Sequence, residues 1–103
     1  MVKVSVLYPN EEGKKFDMDY YLTMHIPLVR KLLGAACTKV EVDQGIAGGT
    51  PGSKAPYVAI GHLFFNTVEE FMSSFGPTAN AIISDIPNYT DTTPLVQVNE
   101  IKI

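Results

Sequence analysis

The chain has 103 residues, a net charge of -3 and 46% hydrophobic residues. We expect one domain over residues 1–103, which can bury roughly two thirds of its unfolded surface. An acidic chain with only 18% charged residues lacks the basic surface of a nucleic-acid-binding protein. The single cysteine, Cys37, excludes an intrachain disulfide and a cysteine-rich zinc site and suits a reducing compartment. No apolar run has the length of a membrane span and no signal peptide is recognised, so we expect a cytoplasmic protein.

The first third of the chain predicts a strand followed by a helix. Residues Val2–Tyr8 alternate between apolar and polar side chains, as in a strand with one buried face. A helical period follows between Asp17, a suitable N-cap, and Gly34, a suitable C-terminal stop. Its apolar stripe is expected to comprise Tyr21, Met24, Leu28 and Leu32. Pro27 lies inside this helix and cannot donate a backbone hydrogen bond, so we expect a kink near Thr23.

The middle of the chain predicts two strands joined by a long loop. Thr38–Asp43 alternates valines with more polar residues, and Tyr57–Phe65 is apolar at both sets of alternating positions. A strand that is apolar on both sides is expected to be covered on both faces of its sheet. The Gly45–Pro56 segment between these strands is rich in glycine and proline. A loop of this length in a small domain is usually functional or forms a contact between subunits.

The last third predicts an interrupted helix and a final strand. Thr67 opens a capping box with Glu70, and Gly76-Pro77 interrupts the helix before a further helical segment to about Ser84. The expected buried stripe of this helix comprises Val68, Phe71, Met72 and Phe75. A polar loop at Asp85–Thr93 then precedes a strand at Leu95–Ile103.

The resulting order of elements is β-α-β-β-α-β, which predicts an α+β, ferredoxin-like subunit. Its helices should cover one face of a four-stranded antiparallel sheet. The apolar second face of the third strand then needs a cover, which a second copy supplies most simply. We therefore expect a homodimeric α/β barrel, joined through the sheet faces, with small-molecule pockets between the two sheets.

Two histidines are the candidate catalytic residues. His25 shares a helix face with Tyr21, so it is either a structural histidine bonded to a nearby acceptor or a general acid/base beside the predicted kink. His62 lies among apolar residues in the third strand, so it is either a satisfied core histidine or a pocket base. Gly61 beside it leaves room for a ligand. The histidine spacing fits no metal motif, so we expect no metal and no cofactor.

Four further residues are candidate ligand contacts: Tyr21, Phe64, Tyr89 and Gln97. Tyr89 belongs to a polar loop before the last strand, where ligands often meet protein. Gln97 interrupts the last strand and either points into the same cavity or faces solvent. Cys37 has no nearby base in the sequence, which indicates a small buried residue and not a nucleophile.

These residues also carry a family likeness. The segment Phe16-Asp17-Met18-Asp19-Tyr20-Tyr21-Leu22-Thr23-Met24-His25-Ile26-Pro27-Leu28 resembles the F-D-x-x-Y-Y-x-x-x-H-x-P-L segment of the EthD family. Residues 57–67 and 85–91 look like its third strand and its C-terminal loop. This family belongs to the dimeric α/β-barrel superfamily, so the resemblance implies a ferredoxin-like subunit that dimerises through its sheets.

The resemblance leaves the activity open. The family is named after a gene cluster for ethyl tert-butyl ether degradation, and the superfamily includes isomerases, cofactor-free monooxygenases, cyclases and heme-degrading enzymes. The chain has no tryptophan, so the Asn-Trp-His site of the heme-degrading relatives is absent.

One hypothesis is an enzyme, an isomerase, lyase or oxidoreductase without a metal, acting on a small apolar or cyclic compound. His25 would transfer a proton, while His62 or Tyr89 would hold a substrate oxygen. The alternative is a non-catalytic binding or accessory protein for a partner oxygenase. A third possibility is a structural dimer with an occluded core.

Overall fold

A computed structural model describes residues 1–103 and contains one four-stranded sheet. The strands are β1 (Val2–Pro9), β2 (Cys37–Gln44), β3 (Tyr57–Phe65) and β4 (Leu95–Glu100). They pair antiparallel in the order β2-β3-β1-β4, which confirms the predicted α+β, ferredoxin-like fold. The last strand is shorter than predicted, and beyond it the Ile101 N–H donates to the Met1 carbonyl.

Helix α1 runs from Met18 to Leu33 and begins and ends where the sequence predicts. The Asp17 carboxylate accepts the Tyr20 N–H at 3.0 Å, so it satisfies one of the free donors of the first turn. Gly34 follows the helix with φ +64°, a backbone conformation that favours glycine.

The irregularity predicted near Thr23 takes the form of a π turn. The helix consists of an α segment (Met18–Tyr20), a π segment (Tyr21–His25) and a second α segment (Ile26–Leu33). The Ile26 N–H donates to the Tyr21 carbonyl, five residues back, directly before Pro27, which has no N–H to donate. Single π turns of this kind are frequent at functional sites.

The buried stripe of α1 differs from the predicted one. The residues it buries are Tyr21, His25, Val29 and Leu33. Met24 is 57% exposed, and Leu28 and Leu32 are only half-buried, so that part of the prediction is wrong. The cause is that a polar residue, His25, takes a buried position, which leaves the two leucines on the flank of the contact.

The second helical region has two short helices, α2 (Val68–Phe75) and α3 (Ala79–Asp85), joined by a 3₁₀ turn at Gly76–Thr78. The Thr67 hydroxyl accepts the Glu70 N–H at 3.1 Å, as the predicted cap requires. The predicted stripe is only half right, since Phe71 is buried and Phe75 half-buried, whereas the other two members are exposed. Residues 86–88, predicted as loop, form a further 3₁₀ turn.

Both helical regions pack on one face of the sheet. The main core joins side chains of β1 and β3 to side chains of α1, α2 and α3: Val2, Val4, Leu63, Phe65, Val29, Leu33, Phe71 and Ile82. A smaller aromatic cluster extends this core: Tyr8, Tyr21, Tyr89 and Ala59. We call this side of the sheet the helix face and the other side the open face. No helix is long and apolar enough to cross a membrane.

Candidate functional site

A buried histidine–aspartate pair connects α1 to the end of α3. His25, at the end of the π turn, is 4% exposed, and its Nδ1 lies 2.8 Å from Asp85 Oδ2. These residues are 60 positions apart in the chain. The π turn and the end of α3 therefore bring together two groups that the sequence alone leaves unrelated.

Three donors hold the Asp85 carboxylate. Besides the His25 contact on Oδ2, its Oδ1 accepts the Tyr20 hydroxyl at 2.8 Å and the Asn88 amide at 2.9 Å. Desolvation acts to raise the pKa of Asp85, but the hydrogen bonds from Asn88, His25 and Tyr20 outweigh it and lower the pKa. The carboxylate is therefore ionised at neutral pH.

This arrangement fixes the protonation of His25. An ionised carboxylate can only accept, so Nδ1 carries the proton and Nε2 presents its lone pair. Nε2 has no hydrogen-bond partner within the chain and is open to the adjacent cavity. Burial lowers the pKa of His25, although Asp85 acts in the opposite direction. The imidazole is therefore neutral at pH 7 and available as a base.

Nε2 faces an apolar cavity of about 90 Å³ between α1, α3 and the helix face. Thirteen of the sixteen residues that line it are hydrophobic, and none is a lysine, arginine, aspartate or glutamate. Its outer end lies between Ile83, Ile86, Pro94 and Val96, which also line a shallow groove towards residues 90–93. The cavity therefore suits a small uncharged molecule that enters past β4.

Aromatic rings surround His25 on its other sides. Tyr21 stacks on the imidazole with a centroid distance of 5.6 Å, and the Tyr89 ring lies at 4.6 Å. The Tyr89 hydroxyl shares a 2.7 Å hydrogen bond with the Tyr8 hydroxyl. Burial raises the pKa of the phenols of Tyr8, Tyr21 and Tyr89, so all three stay protonated at neutral pH. Tyr21 also lines the cavity, with its hydroxyl against Gly61.

The candidate residues divide between the two faces of the sheet. Tyr21 and His25 line the cavity, and Tyr89 packs behind His25 without lining it. His62 and Phe64 alternate with the buried residues of β3 and therefore lie on the open face, together with Gln97. The single chain therefore does not bring the two histidines to one cavity, its apolar cavity lies on the helix face, and Gln97 is exposed on the open face, the second of its two expected positions.

The open-face candidates have polar and cationic neighbours. His62 Nε2 lies 2.8 Å from Asp43 Oδ2, and its Nδ1 lies 3.1 Å from Ser5 Oγ. Gln97 donates to Asn99 Oδ1 at 2.6 Å. The ammonium groups of two lysines, Lys3 and Lys39, lie 5.9 and 5.3 Å from the centre of the Phe64 ring.

Sequence reasoning missed three residues of the helix-face site: Tyr20, Asp85 and Asn88. A signal existed for two of them, because Asp85 and Asn88 are three residues apart in the segment already singled out for Tyr89. Their pairing with α1 depends on tertiary packing, which no local pattern reports. No group of three or more histidine, cysteine, aspartate or glutamate side chains is placed to hold a metal ion.

Comparison with known proteins agrees with this fold. The EthD domain model matches residues 11–93. An EthD-like protein from Ralstonia eutropha JMP134 has a crystal structure that superposes with a TM-score of 0.94 at 36% identity, covering 99% of this chain and 92% of that one. An ethyl tert-butyl ether D (EthD) family protein from Bacillus halodurans C-125 is similar in fold, with a TM-score of 0.75 at 20% identity and 99% coverage of both chains. No curated protein matches significantly. The chain belongs to the EthD family.

Proposed function

We propose that this protein binds a small uncharged organic molecule in the helix-face cavity and that His25 moves a proton on it. One observation carries the proposal: a buried histidine, oriented by a carboxylate, presents an unpaired Nε2 at the wall of an apolar cavity. A neutral imidazole in that position is suited to act as a general base.

The proposed chemistry is proton abstraction from a carbon that is next to a carbonyl group or conjugated with it. His25 Nε2 takes the proton from carbon, and Asp85 stabilises the imidazolium that forms. Return of the proton at another carbon completes an isomerisation, and loss of a leaving group completes a lyase reaction. Addition of dissolved dioxygen, as the oxidant, to the same carbanion would form a peroxide and make the protein an oxidoreductase. Tyr21 is the donor for the substrate oxygen, and Tyr89 keeps the imidazole in place.

The cavity also limits the substrate class. An anionic substrate would lose its hydration without meeting a cation, because no lysine or arginine lines the cavity. Its volume of about 90 Å³ is smaller than the roughly 150 Å³ cavity that holds benzene, so the reacting part of the substrate is a single small ring or chain. Such compounds arise in the catabolism of apolar or cyclic organic molecules, which agrees with the family name.

We further propose a cytoplasmic homodimer joined through the open faces. Leu7, Val58 and Ile60 lie half-buried on this face, and Leu95 is 56% exposed beside them. A second sheet would cover these side chains, as it does in the barrel that the fold predicts. His62, Phe64 and Gln97 would then lie between the two sheets.

A second candidate function is non-catalytic binding, as a carrier or accessory protein for a partner oxygenase. The observation that favours it is the composition of the cavity, in which thirteen of sixteen lining residues are hydrophobic and two of the three titratable side chains are phenols that stay protonated. Apolar ligands can bind there whether or not His25 acts. The two functions predict the same affinity and differ only in proton transfer.

The deciding experiment measures hydrogen exchange on a bound probe. 2(5H)-Furanone, a neutral enolisable ring, is incubated with the protein in D₂O, and loss of its ring C–H signals is followed by ¹H NMR. We expect the wild-type protein to accelerate exchange and the His25→Gln variant to lose at least about 100-fold of that acceleration. Asp19→Asn, at an exposed position of α1, is the matched control and should exchange as the wild type does.

The outcome separates the candidates. Saturable binding of the furanone with no accelerated exchange would favour the carrier function. Accelerated exchange that survives in His25→Gln would refute the assigned base. A ¹⁵N NMR spectrum of the imidazole gives an independent check, since His25 should carry its proton on Nδ1, and the Asp85→Asn variant should lose that preference.

A further inference from the structure

A groove continues the helix-face cavity outwards past β4, and we call it the outer groove. Ile83 of α3 and Ile86 lie on one side of it, with Pro94 and Val96 on the other. These four residues line the cavity and the groove alike. The groove then extends along residues 90–93, none of which lines the cavity. The two spaces are therefore continuous, and a molecule held in the cavity has a path outwards along the groove.

The side chains at the junction are apolar, and the chain itself leaves them uncovered. Ile83 is 54% exposed and Val96 is 61% exposed. Val96 alternates along β4 with Leu95 and Gln97 of the open face, so its side chain lies on the helix side. A dimer joined through the open faces therefore leaves this surface free. Contact with an apolar part of a ligand would remove it from water.

Hydrogen bonds hold the far wall of the outer groove in place. The Thr90 hydroxyl donates to the Lys15 carbonyl at 2.7 Å and lies 3.1 Å from the Thr92 hydroxyl. The Lys15 N–H donates to Asp91 Oδ1 at 2.9 Å. Thr90 and Thr92 are both buried. The segment is therefore fixed to the loop before α1, and the groove needs no rearrangement to accept a ligand.

The chemistry of the outer groove favours an uncharged aliphatic occupant. No lysine, arginine or histidine side chain lines it, so an anion would meet no cation there. Its one carboxylate, Asp91, already accepts a backbone N–H. The hydroxyls of Thr90 and Thr92 are bonded within the chain, so a polar group would find few free partners. The isoleucines and prolines of the walls offer contact to a hydrocarbon chain instead.

We propose that the outer groove is a subsite for a short aliphatic side chain of the molecule whose reacting part occupies the cavity. The substrate is then a small ring or chain with an uncharged aliphatic substituent, and not a bare ring. This inference rests on the proposed function, because it takes the cavity as the place where the reacting part binds. It explains how a cavity of about 90 Å³ serves a larger molecule. Thr93, which is exposed and lines only the groove, limits the length of the substituent.

The test compares 2(5H)-furanone with 5-butyl-2(5H)-furanone on the full chain in its native oligomeric state. NMR titration gives the Kd of each compound, and the ratio of the two values measures the effect of the butyl group. We expect the butyl compound to bind about 15-fold more tightly, since each carbon that the groove removes halfway from water contributes about twofold. The ratio, and not either affinity alone, is then compared between proteins.

Two variants alter the groove and one serves as the control. Thr93→Trp puts an indole ring into the groove and should lower the ratio to about 1, because the butyl group loses its place. Ile83→Asn puts an amide at the junction and should lower the ratio at least about threefold. Thr50→Trp adds the same ring at an exposed position of the loop between β2 and β3 and should keep the wild-type ratio.

A direct measurement of position complements the affinities. In the wild-type protein we expect intermolecular nuclear Overhauser effects between the terminal methyl group of the butyl chain and the methyl groups of Ile83 and Thr93. Far-UV circular dichroism confirms that each variant is folded. Because Thr93 and Ile83 lie on different elements, a variant that fails to fold leaves the other to decide.

Three results would overturn the proposal. These are no gain in affinity from the butyl group in the wild-type protein, a gain that both groove variants keep, and no saturable binding of either compound. The readout is affinity and not hydrogen exchange, so this proposal and the proposed function can fail separately. Accelerated exchange on 2(5H)-furanone without a gain from the butyl group refutes the subsite alone. A gain from the butyl group without exchange that depends on His25 refutes the assigned base alone.

Discussion

The two histidines of this chain make the same contact in opposite surroundings. Each lies 2.8 Å from an aspartate oxygen. In the helix-face pair the histidine and aspartate side chains are 5% and 14% exposed, whereas in the open-face pair they are 15% and 63% exposed. The two pairs therefore differ in burial and in the number of donors on the carboxylate, and we expect these, and not the distance, to decide what each pair contributes to the free energy of unfolding.

The two sites also differ in what they leave unpaired. On the helix face, the polar groups around Asp85 satisfy one another and a single atom, His25 Nε2, stays open to an apolar cavity. On the open face, both ring nitrogens of His62 are bonded, one to Asp43 and the other to Ser5. The first arrangement is suited to removing a proton from a ligand, whereas the second leaves neither nitrogen of its imidazole free for one.

The comparison is tested most strongly by the same substitution in both pairs. In Asp85→Asn, an N–H₂ group replaces one of the two carboxylate oxygens. Depending on how the amide is oriented, the lost acceptor is the one for His25 or the one for Tyr20 and Asn88. We expect a loss of about 2–3 kcal/mol in the free energy of unfolding, because a buried charge-assisted network is broken. In the monomeric chain, Asp43→Asn should cost less than about 0.5 kcal/mol, because 63% of that side chain is exposed there. Urea unfolding followed by circular dichroism measures both.

Equal losses in the two variants at a protein concentration at which the chain is monomeric would contradict this interpretation. If Asp43→Asn costs as much as Asp85→Asn only at higher concentration, the proposed dimer buries the open face. Repeating the measurement across protein concentrations distinguishes that case, since the stability of a dimer rises with concentration.

A second prediction concerns the strand that lies between the two sites. Gly61 of β3 faces the helix side, where an added Cβ would collide with the hydroxyl of the buried Tyr21. Gly61→Ala should therefore cost about 1–2 kcal/mol, because the rigid ring can move only by disturbing its aromatic neighbours. It should also reduce furanone binding, since Tyr21 lines the cavity.

Gly49→Ala is the matched control for that substitution. Gly49, in the loop between β2 and β3, has no positive φ and no heavy atom within 4 Å of an added Cβ. It should be neutral or stabilising by up to about 1 kcal/mol, because alanine restricts the unfolded chain. A Gly61→Ala protein that is as stable as the wild type would mean that Tyr21 is free to move.

Local patterns in the sequence predict the framework of this fold well. Alternation predicts β3 at Tyr57–Phe65 with the bounds that the structure has. Asp17, Gly34 and Thr67 act as the predicted helix boundaries, because capping depends on a few adjacent residues. The irregular turn before Pro27 follows from the missing N–H of that single residue.

The composition of each site could not be predicted in the same way. The buried stripe of α1 is misassigned, since hydrophobicity favours Leu28 and Leu32 over a histidine. His25 is buried because Asp85, sixty residues away, satisfies it. The two histidines lie on opposite faces because side chains alternate along β3, so His62 points away from the helices while its neighbour Leu63 points towards them. The sequence does not show which set of positions faces the helices, because both sets in β3 are apolar. Long-range pairing, and not local preference, decides these points.

The smallest expected effect is a pH dependence of stability that belongs to the buried pair. The pKa of His25 is lowered in the folded protein, so above the ordinary value of 6.5 both folded and unfolded chains hold it neutral and it contributes no slope. As the pH falls below 6.5, the unfolded chain binds a proton that folded His25 does not, and stability is lost. The slope from this one group is at most about 1.4 kcal/mol per pH unit.

We therefore expect urea unfolding between pH 7.5 and pH 5 to show a decline in the stability of the wild-type protein that His25→Gln lacks. The pKa of Asp85 is also lowered, so its contribution is present above its ordinary value of 3.8 and is lost as the pH falls below that value through the folded pKa, outside this window. Equal slopes in the two proteins would show that folding does not lower the pKa of His25, and the contrast between the two histidine–aspartate pairs would disappear.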